Sequence, residues 1–193
     1  MKSLCVFCGS SPGRDEAYVA AAATVGKLFA ERGITLIYGG GSVGLMGAAA
    51  DACLAAGGKV VGVIPRHLQD MEVGHRTLTA LHVVDTMHER KAMMAELSDG
   101  FVVLPGGIGT LEEFFEVWTW GQLGIHSKPF GVLNVKGYYD ALFGFIATMV
   151  EQGFLKVPQA AMTQLSEDPG ALLDALAAYV PPDNPARLKL SES

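Results

Sequence analysis

The segment Phe101-Val-Val-Leu-Pro-Gly-Gly-Ile-Gly-Thr-Leu-Glu-Glu113 constrains the fold more than any other stretch of this chain. Its four leading apolar residues, Phe101 to Leu104, read as a strand buried on both faces. Pro105 ends that strand, because proline has no N–H to give to a ladder. Gly106, Gly107 and Gly109 then let the backbone turn its N–H groups toward one point. Thr110 has the chemistry of an N-cap, and Leu111, Phe114 and Phe115 begin a helical apolar stripe. A nest of donors at a helix N-terminus is an anion site suited to phosphate. Glu113 falls on the first turn of the same helix. A carboxylate beside a bound phosphate is a poor choice for binding alone, so it points to chemistry on the phosphate-bearing molecule.

The rest of the chain repeats this strand-loop-helix order. Strands are expected at residues 4–8, 34–38, 60–64, 81–84, 101–104 and 130–134. Helices are expected at 15–31, 45–56, 87–97, 111–123, 139–152 and 171–179. Residues 66–80 are polar and without period, and read as a functional loop or lid. Such alternation gives a parallel sheet with helices on both faces, an α/β three-layer fold, with ligands outside the C-terminal strand ends. The Gly-rich loops at Gly9, Gly39 and Gly106 all follow strands. They share one edge of the sheet, so Gly9, Ser10, Gly40 and Gly41 are candidates for the same ligand as Gly106. Residues 1–180 make a single domain and 181–193 a frayed, Pro-rich then charged tail.

Composition narrows the function. Half of the 193 residues are apolar and 18% are charged, enough to bury a core. The net charge of −6 argues against a general nucleic-acid surface. No apolar run reaches the ~18 residues of a membrane span, and residues 4–8 are too short for a signal peptide, so the expected compartment is the cytoplasm. Three cysteines make no disulfide framework. Cys5 and Cys8 form a C-x-x-C on a strand, where residues three apart point to opposite faces, so they read as buried thiols.

Other motifs carry less. Gly39-Gly-Gly-Ser-Val-Gly44 satisfies G-x-G-x-x-G, but the next strand ends in Val-Ile-Pro without the acid that a dinucleotide ribose requires. Tight strand–helix packing with backbone exposed to a phosphate or ribose is the better reading. Asp85-Thr-Met-His-Glu-Arg-Lys91 opens a helix. Arg90 and Lys91 are about 100° apart on it, so at most one is expected to face the core squarely. His75, His82 and His88 lack ligand spacing, and no metal is expected. Phe114, Phe115, Trp118 and Trp120 are too many for one core face, which points to a second subunit.

Three segments together resemble one family. Gly39-Gly-Gly-Ser-Val-Gly-Leu-Met-Gly47, Met87-His-Glu-Arg-Lys91 and Pro105-Gly-Gly-Ile-Gly-Thr-Leu-Glu-Glu113 are similar to the Lonely guy family of cytokinin riboside 5′-monophosphate phosphoribohydrolases, long mislabelled lysine decarboxylases. The resemblance covers roughly residues 2–180 and includes Trp120-Gly-Gln-Leu-Gly-Ile-His126. It implies a Rossmann-like fold and a homodimer with composite sites. It also implies hydrolysis of nucleoside 5′-monophosphates, AMP or its N6-prenylated form, to free base and ribose 5-phosphate, with no cofactor. Arg90 and Glu113 carry over as catalytic residues. Glu72, Lys91, Gly106, Gly107, Ile108, Gly109, Thr110, Leu111, Glu112 and Thr119 carry over as substrate-binding. A decarboxylase would need pyridoxal phosphate on a buried lysine with an acidic partner for the ring nitrogen, and Lys91 beside Arg90 offers no such arrangement.

Cleaving an N-glycosidic bond passes through an oxocarbenium-like ribosyl cation. Glu113 can stabilise that charge or activate water, and Arg90 can hold phosphate, ribose or leaving base. The alternatives are a non-enzymatic carrier of a phosphorylated cofactor, such as the molybdenum-cofactor carriers, and a single-stranded DNA binder. Glu113 paired with Arg90 argues against the first, and the acidic charge without a basic stripe against the second.

Overall fold

The computed structural model of the protein describes residues 1–69, 75 and 77–182. Seven parallel strands form one sheet in the order β4-β3-β2-β1-β5-β6-β7. They are β1 (Ser3–Phe7), β2 (Thr35–Tyr38), β3 (Val60–Pro65), β4 (Ala80–Val84), β5 (Phe101–Val103), β6 (Phe130–Leu133) and β7 (Thr163–Ser166). The helices are α1 (Glu16–Glu31), α2 (Gly44–Ala55), α3 (Arg66–Gln69), α4 (Met87–Glu96), α5 (Ile108–Gln122), α6 (Asp140–Glu151), α7 (Val157–Ala160) and α8 (Pro169–Ala177). Among the described residues, no helix is long and apolar enough to cross a membrane.

The central strands alternate between two cores, as the period of a strand requires. Leu4, Val6 and Cys8 join Val102 and Leu104 under α1, α2 and α8. Cys5 and Phe7 join Phe101 and Val103 under α4, α5 and α6. The sheet is thus covered on both faces, the three-layer α/β arrangement expected from the alternation. Cys5 and Cys8 fall in opposite cores, and all three cysteines are free and buried.

Strand order reverses between β1 and β5. A parallel sheet opens a crevice at such a switch point, outside the C-terminal strand ends. The loops after β2, β1 and β5 begin at Gly39, Cys8 and Leu104, so the three glycine loops lie side by side there.

Several local expectations are corrected. Thr110 does not cap α5. The helix begins at Ile108 with Gly107 as N-cap, and no side chain bonds to its first turn. That start leaves Thr110 inside the first turn. Arg90 and Lys91 are both buried. Two directions about 100° apart are both covered because α4 packs against the β2–α2 loop on one side and α5 on another. Two elements, β7 and α7, have no counterpart among the expected ones. The strand Thr163-Gln-Leu-Ser166 is a short edge strand with mixed polarity, and α7 is a single turn, so neither carries a periodic signal. Part of the supposed loop 66–80 is the turn α3, while residues 70–74 and 76 lie outside the described residues, as does the tail from 183.

The four aromatic residues of α5 meet one core. Phe114 and Trp118 are buried in it, and Phe115 and Trp120 are half-buried at its rim. Phe115 stacks on Trp118 with ring centroids 6.0 Å apart. A single chain therefore accommodates all four.

Candidate active site

The β1–β5 crevice contains a cavity of about 330 Å³. Of the expected residues, Arg90, Gly107, Ile108, Gly109, Thr110, Glu112, Glu113, Gly9 and Ser10 line it. Lys91, Gly106, Leu111, Thr119, Gly40 and Gly41 are not on its wall, and Glu72 lies outside the described residues. Thr119 is exposed, and its hydroxyl donates to the Phe115 carbonyl at 2.7 Å. Cys8, Met46, Met87 and Met94 also line the cavity, none of them among the expected site residues. Nothing in their spacing distinguishes a cavity wall from a core.

The loops are stitched together by their backbones. Gly9 N–H donates to Pro105 O at 3.0 Å, and Leu45 N–H donates to Gly9 O at 3.0 Å. Gly106 is the buttress. A Cβ there would lie 2.1 Å from Thr110 Oγ1 and 2.8 Å from Gly9 N. Its carbonyl accepts the Tyr138 hydroxyl at 2.7 Å, and the Leu104 carbonyl accepts the Tyr139 hydroxyl at 2.7 Å. Gly107 to Thr110, at the uncapped start of α5, line the cavity. A helix start without a side-chain cap leaves its first N–H groups to a ligand.

Two charged residues complete the wall. Arg90 is 6% exposed, and its Nη2 donates to the Gly39 carbonyl at 3.2 Å. Its Nε is buried and has no hydrogen-bond partner among the described residues. A buried donor without an acceptor is costly, and a ligand acceptor in the cavity would satisfy it. Glu113 is half-buried, and burial pushes its carboxyl up to about 7. Arg90 and Lys91 oppose that rise, while Glu112 and Glu116 add to it. The Cys8 thiol is pushed well up by burial and by Glu113, so it is not a poised nucleophile.

Lys91 stands behind the wall. Its Nζ donates to Glu112 Oε1 at 2.5 Å and to Glu116 Oε1 at 3.0 Å. Burial works against its charge, but the bonds to Glu112 and Glu116 outweigh this, and its proton is held more tightly than usual. Elsewhere, His75 Nε2 bonds to Asp51 at 2.8 Å. Among the described residues, no three His, Cys, Asp or Glu side chains are grouped to hold a metal ion.

Comparison with known proteins gives a family. Residues 46–176 match the family model described as "Possible lysine decarboxylase". The rice (Oryza sativa subsp. japonica) protein named "Probable cytokinin riboside 5′-monophosphate phosphoribohydrolase LOGL5" is 50% identical over 191 residues, covering 98% of this chain and 78% of that one. The Arabidopsis thaliana protein named cytokinin riboside 5′-monophosphate phosphoribohydrolase LOG5 is 49% identical over 180 residues, covering 93% of this chain and 79% of that one. Among solved structures, the molybdenum cofactor binding protein from Rippkaea orientalis superposes with a TM-score of 0.70 at 18% identity, covering 92% of this chain and 97% of that one. At that identity the likeness is one of fold.

Proposed function

From the premise that this chain belongs to the Lonely guy family of cytokinin riboside 5′-monophosphate phosphoribohydrolases, we propose that it is an N-glycosyl hydrolase. Its substrates are adenine-type nucleoside 5′-monophosphates, AMP and its N6-prenylated form, and its products are free base and ribose 5-phosphate. One observation carries this reading. The uncapped start of α5, the half-buried carboxylate of Glu113 and Arg90, whose buried Nε has no partner among the described residues, meet at the same cavity.

The 5′-phosphate sits against the amides of Gly107 to Thr110, where backbone donors and the helix dipole favour an anion. The ribose then extends along α5 toward Glu113. As the bond from C1′ to the base nitrogen breaks, its electron pair leaves with the base and positive charge grows on the ribose. Ionised Glu113 stabilises that charge or takes a proton from the attacking water, whose oxygen bonds to C1′, and the proton that the water gives up ends on the departed base, which leaves neutral. Arg90 donates to phosphate, ribose or departing base. Met46, Met87 and Met94 give the cavity apolar, adaptable surface for a base and its N6 substituent. Lys91, bonded to two carboxylates and holding its proton tightly, is the opposite of a lysine prepared to form an imine. That speaks against lysine decarboxylation by pyridoxal chemistry. A cofactor carrier, the second reading of this fold, has no use for a half-buried carboxylate facing a phosphate site.

The enzyme acts as a homodimer without metal, nucleic-acid or membrane partners. Leu123 and Ile125, exposed where α5 ends, offer apolar surface for the second copy. Incubation with AMP, isopentenyl-AMP and adenosine, with free base quantified by chromatography, tests the function. Both monophosphates should release base and adenosine should not, since binding of the non-reacting phosphate lowers the barrier at C1′. Comparable turnover of adenosine would overturn this. Light scattering at micromolar concentration checks the dimer.

A further inference from the structure

Glu116 lies outside the cavity wall, yet its geometry ties it to the reacting groups. It follows Glu112 by one helical turn on α5, so both carboxylates project from the same face. Lys91 reaches from α4 and sets its ammonium between them, at 2.5 Å from Glu112 and 3.0 Å from Glu116. The Lys91 side chain is 8% exposed, Glu116 23% and Glu112 52%. The pair therefore runs from the interior outward to the cavity rim. Glu116 Oε1 accepts from Lys91. Glu116 Oε2 is buried and has no hydrogen-bond partner among the described residues.

We propose that Glu116 is a positioning residue of the reaction: it holds Lys91 from the interior side, so that Glu112 at the cavity rim can turn to a ligand without leaving the ammonium unpaired, and it contributes to the charge balance around Glu113. This rests on the hydrolase reading above. An ammonium has three donors in a compact head, so it can move between two carboxylates a few ångströms apart. Glu112, at the rim, is the partner that an arriving ribose can draw away. If Lys91 had Glu112 alone, that movement would leave a buried ammonium unpaired, which is strongly unfavourable. Glu116 removes this penalty. Its vacant Oε2 supplies the acceptor that Lys91 needs when it lets go of Glu112. The orphaned oxygen, costly in a purely structural ion pair, belongs to the second position of the lysine.

The same arrangement sets the charge felt by Glu113. From α4, Arg90 and Lys91 face it; from α5, Glu112 and Glu116; from β1 and the loop after it, the thiols of Cys5 and Cys8. Glu116 contributes a negative charge to this set, which favours a proton on Glu113.

The test uses Glu116→Gln and Glu116→Asp in the full chain, with melting curves to establish folding. Glu116→Gln keeps size and removes charge. The titration midpoint of Glu113, followed by carboxyl-carbon NMR in the free enzyme, should fall by at least about 0.3 pH unit. The acid limb of kcat/KM for AMP should move the same way. Glu116→Asp keeps charge and shortens reach. It should leave the Glu113 midpoint near wild type and raise the KM for AMP at least about threefold. A wild-type Glu113 midpoint in Glu116→Gln, or a wild-type KM in Glu116→Asp, would overturn the proposal even if one variant failed to fold. A wild-type enzyme releasing no base from any nucleoside monophosphate would instead overturn the functional reading, while the NMR titration would still report on Glu116.

Discussion

The guanidinium of Arg90 occupies the space that a side chain at Gly39 would fill. Its Nη2 donates to the Gly39 carbonyl at 3.2 Å, and a Cβ at position 39 would lie 1.8 Å from that nitrogen. Glycine here is a condition for placing the arginine, not for a special backbone angle, since Gly39 is not among the residues with positive φ. Gly39→Ala should therefore fold and melt near wild type while displacing Arg90. Misplacement of a reacting group by about 1 Å costs on the order of 10²-fold in rate. The expected result is a loss of that order in kcat/KM for AMP, similar to Arg90→Ala. Full activity in a folded Gly39→Ala enzyme would remove Arg90 from the mechanism.

The two adjacent tyrosines separate grip from stability. Tyr139 is buried and donates to Leu104 O, whereas Tyr138 is exposed and donates to Gly106 O. Removing the Tyr139 hydroxyl leaves a buried carbonyl unsatisfied, so Tyr139→Phe should lose about 1–3 kcal/mol of stability by denaturant titration. Water can replace the hydroxyl of Tyr138. Tyr138→Phe should keep its stability but raise the KM for AMP, because the Gly106 turn that aims the α5 amides loses its tie. Equal melting of the two variants would contradict this division.

Much of this site is legible in the order of the amino acids. The three glycine loops follow strands, and parallel topology alone places them on one edge. The chemistry proposed for Glu113 and Arg90 follows from position relative to that edge and from family resemblance. What the order of residues hides is tertiary. Whether Arg90 and Lys91 are both buried depends on what covers α4 on two sides, and the loop at Gly39 and helix α5 are remote in sequence. Met46, Met87 and Met94 look like core residues because a cavity wall and a core demand the same side chains. Thr110 fits the chemistry of a cap, but the helix starts two residues earlier, at Ile108, with Gly107 as the N-cap. The edge strand β7 has too little apolar pattern to stand out.

His126 makes the fold sensitive to acid at one place. Its ring packs tilted against Phe101, with centroids 5.4 Å apart, and its Nε2 donates to Val117 O at 2.9 Å. The Lys128 N–H donates to its Nδ1 at 3.1 Å. The first contact needs a proton on Nε2 and the second a lone pair on Nδ1, so the ring is neutral. Burial lowers its proton affinity below the ordinary histidine value of 6.5. Below that value the unfolded chain takes up a proton that the folded one refuses, so this contribution is present above pH 6.5 and is lost as pH falls through the folded midpoint. Ring-nitrogen NMR should show the Nε2–H tautomer and a midpoint below 6.5. A midpoint at or above the ordinary value would refute it.

Glu113 should trade stability for activity in a pH-dependent way. Its carboxyl is pushed from an ordinary 4.5 up to about 7, chiefly by burial. Between those values the folded protein holds a proton that the unfolded chain has released. This contribution is full below 4.5 and lost as pH rises through about 7. Activity runs the other way, because both roles open to Glu113 need the carboxylate, so kcat/KM for AMP should rise with pH through about 7. Glu113→Gln removes the ionisation. It should lower kcat at least ~10²-fold, with AMP affinity little changed because the backbone donors remain. It should also melt higher than wild type at about pH 8, where the wild type must bury a charge, and show no such gain at about pH 4. Glu112→Gln is not a silent control. Although about 100° from Glu113 on the helix, Glu112 also lines the cavity and bonds to Lys91. It should raise KM more than it lowers kcat, and should keep the rise of kcat/KM with pH while moving it to lower pH, because the Glu112 charge helps to hold the proton on Glu113. If Glu112→Gln abolishes cleavage while Glu113→Gln keeps full rate, the reacting carboxylate is Glu112.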